Sequence, residues 1–156
     1  MASPEIGAKV RAFKAASTAG GEFSLADARG KTLVLYFYPK DMTSGCSVEA
    51  RDFRDLYARL RRKGVVVLGV SRDSLKSHDK FREKESLPFH LLSDPDEKLC
   101  RQFDVIREKS LYGRKFLGIE RSTFVIDGQG VLRHEWRKVK VTGHAQEVFD
   151  AVSTLG

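Results

Sequence analysis

The chain has 156 residues, a formal net charge of +7, 41% hydrophobic and 31% charged residues, and two cysteines. That length can bury a core without disulfides or metal, and the composition is that of a globular protein rather than a disordered or fibrous one. Two cysteines cannot form a disulfide framework, no apolar run approaches a membrane span, and the opening MASPEIGAKVRAF lacks a secretory apolar core, so a single cytoplasmic domain over 1–156 is expected.

Residues 31–37, KTLVLYF, form a nearly continuous β-branched and aromatic run and predict a buried strand. Residues 47–62 follow as an amphipathic helix with Ala50, Phe53, Leu56, Tyr57 and Leu60 on one face, stopped by Gly64. The densest basic cluster, RLRRK at 59–63, ends this helix, where cations complement the helix dipole. No zinc-finger spacing, helix-turn-helix pattern or RNA-binding aromatic motif accompanies it, so no nucleic-acid partner is expected. Residues 65–71 predict a second buried strand, and Asp73-Ser74 caps a helix to about 85, ended by Leu87-Pro88. A short strand at 90–93 leads to a helix from Asp94-Pro95-Asp96 to about Phe103. The polar, glycine-containing segment 104–119 is expected to be a long ordered loop. Runs at 121–127 and 131–136 flank Gly128-Gln129-Gly130, a hairpin signature, and a last helix at about 144–155 buries Ala145, Val148, Phe149 and Val152. The order β-α-β-α-β-α-β-β-α predicts an α/β sandwich with helices on both faces of a mixed sheet.

In open α/β sheets, reactive groups gather outside the carboxyl ends of strands. Cys46 stands there, after the strand ending at Tyr38 and at the start of the next helix, where unpaired N–H groups favour thiolate over thiol. Gly45 lets backbone approach the sulfur, Pro39 fixes the loop, and the Thr43 hydroxyl is a donor for the sulfur or for a substrate oxygen. Taken singly, each has a plainer reading: a buried hydrophobe at a helix start, and two ordinary turn residues.

Together, Pro39, Thr43 and Cys46 have the spacing P-x-x-x-T-x-x-C, and the segment LVLYFYPKDMTSGCSVEARDFRD around them resembles the peroxiredoxins, in particular the Q type, also called bacterioferritin comigratory proteins. GVSRDSLKSHDKF, LLSDPDEKLCRQFDV and GIERSTFVID resemble later segments of that family in the same order, so the likeness covers nearly the whole chain. The resemblance implies a thioredoxin-like fold and a thiol peroxidase acting on hydrogen peroxide and organic hydroperoxides. It makes Cys46 the attacking cysteine that becomes a sulfenic acid, with Thr43 holding the peroxide and Pro39 sheltering the thiolate. Arg121 would stabilise the thiolate and polarise the peroxide, and Glu49 would orient Arg121. The chemistry is sound without the label, since a thiolate displacing an alkoxide needs fixed donors where charge grows, and a guanidinium provides them. Alone, Arg121 would be a strand-end surface charge, and Glu49 a first-turn carboxylate serving the dipole.

The likeness breaks where the family carries a second, resolving cysteine: the two positions it occupies in different subtypes are Arg51 and Arg82 here. Cys100 remains, either as a buried structural thiol beside Leu99 and Phe103 or as a resolver of Cys46. A one-cysteine cycle is therefore expected, regenerated by an external thiol such as thioredoxin, glutaredoxin or glutathione. Ser44 replaces a proline common in the family motif. His78, His90, His134 and His144 have no metal-ligand spacing with either cysteine, and no phosphate loop or dinucleotide fingerprint occurs, so neither metal nor cofactor is expected. A thiol–disulfide oxidoreductase would use Cys-x-x-Cys, but the third residue after Cys46 is Glu49. A non-enzymatic redox sensor or holdase stays open, and the lack of a long C-terminal arm points to a monomer.

Overall fold

The computed structural model describes residues 3–155. Its centre is the parallel pair β3 (Thr32–Phe37) and β4 (Val65–Ser71), with Leu35 beside Leu68. Both are buried almost end to end, as continuous apolar runs require when a strand is covered on two faces. β5 (His90–Ser93) extends the parallel set, and β1 (Lys14–Ser17) and β2 (Glu22–Ser24) continue the sheet antiparallel. On the other side β8 (Ser122–Ile126) runs antiparallel to β3, and β9 (Leu132–Trp136) antiparallel to β8. The seven-stranded order is β2-β1-β5-β4-β3-β8-β9.

The two-residue period of a strand deals alternate side chains to two cores. Leu33, Leu35 and Phe37 join one core with Phe103 and Phe124; Val34, Tyr36 and Tyr38 join the other with Phe53 and Phe81. The helices α1 (Ser44–Arg62), α2 (Leu75–Glu85) and α4 (His144–Ser153) supply the second core, and α3 (Lys98–Gln102) with a 3-10 turn at Leu25–Ala28 supplies the first. Phe53, fully buried and stacked 4.8 Å from Tyr36, fastens α1 to the sheet; truncating such a residue to alanine costs about 3–5 kcal/mol. Among the described residues no helix is long and apolar enough to cross a membrane.

The expected class holds, with four local corrections. The 104–119 segment is a hairpin, β6 (Ile106–Leu111) and β7 (Arg114–Ile119), rather than a loop. Its turn residues Tyr112 and Gly113 both have positive φ, the conformation that matches strand twist. Most of its side chains are exposed or half-buried on both faces, so no hydrophobic alternation marks it. α1 begins at Ser44, not 47, and α3 begins only at Lys98, after Glu97 takes a left-handed φ of 62°. β1, β2 and the 3-10 turn, not anticipated at all, are too short and too little apolar to show a period.

Because β3, β4 and β5 are parallel, the loops after them open on one edge of the sheet. β8 starts at that edge, with Ser122 opposite Phe37, and the β6–β7 hairpin feeds into it.

Candidate active site

Cys46 is the third residue of α1 and 1% exposed. The helix starts where Thr43 turns extended (φ −81°), yet no side chain caps it and no acidic residue lies in its first turn. The N–H groups of that turn are thus left without a carboxylate beside the sulfur. The Thr43 hydroxyl, exposed, donates instead to the Lys40 carbonyl at 2.9 Å, not to the sulfur. Pro39 is half-buried earlier on the same loop.

Arg121 lies just before β8, and the β3–β8 register delivers it to the same edge as Cys46. Its carbonyl accepts from the Val139 N–H at 3.0 Å. Nη2 donates to Cys46 Sγ at 3.4 Å, and Nη1 donates to Glu49 Oε1 at 2.5 Å. A Cβ on Gly45 would come 3.3 Å from Nη2, so the missing side chain gives the guanidinium its room. Glu49 is 1% exposed and its Oε2 is buried without a hydrogen-bond partner. Burial pushes this carboxyl up to about 7, against the downward pull of Arg121. Burial opposes the Arg121 charge too, but Glu49 and Cys46 outweigh it and raise its pKa.

Cys46, Arg121 and Glu49 are therefore one hydrogen-bonded set, whereas Thr43 and Pro39 share the loop without a hydrogen bond to the sulfur. Sequence reasoning missed Lys109 on β6. Its stem lies over Gly118, where a Cβ would be 3.1 Å from Lys109 Cδ, and burial followed by the Arg121 charge lowers its pKa, with the Cys46 charge acting against them. The exposed, non-alternating faces of β6 and β7 give no local signal for it.

Cys100 is the third residue of α3, fully buried in the core on the opposite face of the sheet. Asp94 caps its helix, accepting from the Leu99 and Cys100 N–H groups at 3.1 and 2.7 Å. Burial, and next the Asp94 charge, push the Cys100 thiol far above its ordinary range. Arg51 pairs with Glu85 at 3.0 Å, and Arg82 donates to the Phe89 and Leu87 carbonyls.

The AhpC/TSA family model matches residues 6–135. The chain is similar to Peroxiredoxin Bcp of Bacillus subtilis, 47% identical over 151 residues, which cover 97% of this chain and 96% of that one. Among solved structures it resembles a cysteine-to-serine mutant of Xylella fastidiosa PrxQ, with a TM-score of 0.92, 41% identity and 98% of each chain covered. It also resembles the Xanthomonas campestris bacterioferritin comigratory protein, a protein with alkyl peroxide reduction activity, with a TM-score of 0.86, 48% identity and 90% of each chain covered. Two further structures of Xanthomonas campestris peroxiredoxin Q each replace one cysteine by serine, and those two cysteines have the same separation along the sequence as Cys46 and Arg82 here. The sheet and helices described above are thus the thioredoxin-like arrangement of these proteins.

Proposed function

The chain belongs to the AhpC/TSA family, among the Q-type peroxiredoxins also known as bacterioferritin comigratory proteins, and on that premise we propose that it is a thiol peroxidase reducing alkyl hydroperoxides and hydrogen peroxide through Cys46. The observation that carries the reading is the Arg121 guanidinium donating to Cys46 Sγ at an uncapped helix start. The Cys46 thiolate attacks the terminal oxygen of the peroxide and the O–O bond breaks. Its electron pair leaves on the alkoxide, which takes a proton to become the alcohol, or water from hydrogen peroxide. The sulfur keeps one oxygen as sulfenic acid, oxidised by two electrons. Arg121, held by Glu49 through its other nitrogen, faces the oxygen on which charge grows, a placement that in comparable sites supplies about 3–4 kcal/mol. Thr43, donating to Lys40, keeps its hydroxyl lone pairs for the peroxide O–H, and Pro39 shelters the sulfur from the loop side.

The cycle uses one cysteine. An external thiol attacks the sulfenic sulfur, releasing water and leaving a mixed disulfide, and a second thiol frees the Cys46 thiolate. Three facts support this: Cys100 lies across the sheet, and both family positions for a second cysteine are arginines. Thioredoxin, or glutathione with glutaredoxin, is the reductant class, and a monomer in a reducing cytoplasm suits a protein whose two cysteines are free thiols.

The test is the intact mass of reduced protein after one equivalent of hydrogen peroxide, beside Cys46→Ser and Cys100→Ser. A gain of one oxygen, kept in Cys100→Ser and absent in Cys46→Ser, is expected. Loss of two hydrogens would make Cys100 the resolver, and an unchanged mass with peroxide unconsumed would remove the peroxidase reading.

A further inference from the structure

We infer that Asp41 and His78 form a buried latch holding the Cys46 loop closed, and that its release is what opens the sulfur to an outside thiol; this rests on the one-cysteine cycle proposed above. Cys46 is 1% exposed, so a bulky thiol cannot reach its sulfenic acid while the loop from Tyr38 to Thr43 and the first turn of α1 stay in place. Something must fasten that loop, and something must let it go.

Asp41 lies within the loop, 5% exposed. Its carboxylate accepts from the Tyr38 hydroxyl at 2.5 Å, from the Ser77 hydroxyl at 2.8 Å and faces His78 Nδ1 at 2.7 Å. His78 is fully buried, and its Nε2 lies 2.9 Å from the Leu92 carbonyl, which can only accept. Nε2 therefore donates to that carbonyl, and Nδ1 shares a proton with the Asp41 carboxyl oxygen it faces. The arrangement is a buried Asp–His hydrogen-bonded pair, with the carboxyl on the Cys46 loop and the imidazole on α2. Removing one member leaves the buried polar atoms of the other without a partner, a cost larger than the bond itself contributes. The Asp41 N–H adds a second tie, donating at 2.8 Å to Asp73, which also accepts from Ser71.

The next residue, Met42, has a φ of +66°, a left-handed conformation that a non-glycine side chain holds only when its surroundings impose it. The strained residue sits between the latch and the Thr43 helix start. Asp41, Asp73 and His78 bring their ligand-type atoms within 4.8 Å of one another, but donors already engage the facing atoms, and the cluster works as a fastening.

Asp41 and His78 are thus positioning residues, and the two cysteines supply the control. Alkylation of each by iodoacetamide is followed by peptide mass in the full-length reduced protein, alongside the second-order rate of Cys46 oxidation by hydrogen peroxide. In Asp41→Asn, Cys46 labelling is expected to rise about tenfold with Cys100 labelling unchanged, while peroxide oxidation falls about tenfold. His78→Gln should move both in the same sense. Ser77→Ala, which removes a single hydroxyl at the edge, should do so by roughly two- to threefold and serves if Asp41→Asn does not fold. Parallel rises at Cys46 and Cys100 would mean general loosening and would overturn the latch, as would unchanged Cys46 labelling. A wild-type protein inert to peroxide would instead defeat the proposed function, with the labelling still deciding the latch.

Discussion

Cys46 and Cys100 occupy the same position, third in a helix, and are equally hidden, at 1% and 0% exposure. They lie on opposite faces of one sheet and in opposite electrostatic settings. Around Cys100 the free N–H groups of α3 are already taken by the Asp94 carboxylate, which leaves the sulfur facing a negative group in an apolar core. Around Cys46 no side chain caps α1, and the nearest charge is the Arg121 guanidinium. A helix start therefore does not activate a cysteine by itself. What counts is whether its N–H groups are already occupied, and which sign of charge the fold brings from elsewhere in the chain.

The contrast can be broken at three points. The largest effect is expected from Arg121→Met, which strips Cys46 of its cation while leaving the burial. The second-order rate with hydrogen peroxide should fall by about 100- to 1000-fold; a rate within threefold of wild type would mean that the cation is not what separates the two sulfurs. Next comes Glu49, which sharpens the role of burial. The native protein keeps this proton up to about 7, whereas the unfolded chain gives it up near 4.5. Between those values the native state binds more protons, so stability falls as pH rises through the window, by up to about 3 kcal/mol. In Glu49→Gln that slope should vanish, as read from urea unfolding at pH 5 and pH 8; an equal slope in both proteins would place the buried proton elsewhere. The smallest effect is expected from Asp94→Ala, which uncaps α3 and should cost about 1–2 kcal/mol in the same unfolding assay. Peroxide consumption should not change, and a gain of reactivity at Cys100 would show that its carboxylate, more than its burial, keeps it silent.

The elements that enclose the site were legible because they bury continuous or periodic apolar faces: 31–37, 65–71 and the helix carrying Phe53 are written in hydrophobic pattern. The Cys46 loop was legible through spacing, since Pro39, Thr43 and Cys46 are close in sequence. Arg121 and Glu49 were named by resemblance, but their hydrogen bond to one another, and that of Arg121 to the sulfur, joins β8 to α1 across long sequence separations that no local pattern encodes. The same holds for Asp41 and His78. Read singly, they are a turn aspartate and a helical histidine. Thr43 is a donor for the sulfur or a substrate by its position in the motif, and its bond to Lys40 is a local competition that spacing does not decide. Lys109 was lost with the β6–β7 hairpin, whose two wet faces leave no period to read.

That hairpin has a practical side. Its tip carries Tyr112, 96% exposed, whereas Arg121 is held further along by the pairing of β8 with β3. The tip and the guanidinium are anchored separately, so added length at Tyr112-Gly113 does not have to displace the arginine. It is a natural insertion port, where a fluorophore or a peptide tag could be carried without passing strain into the sheet.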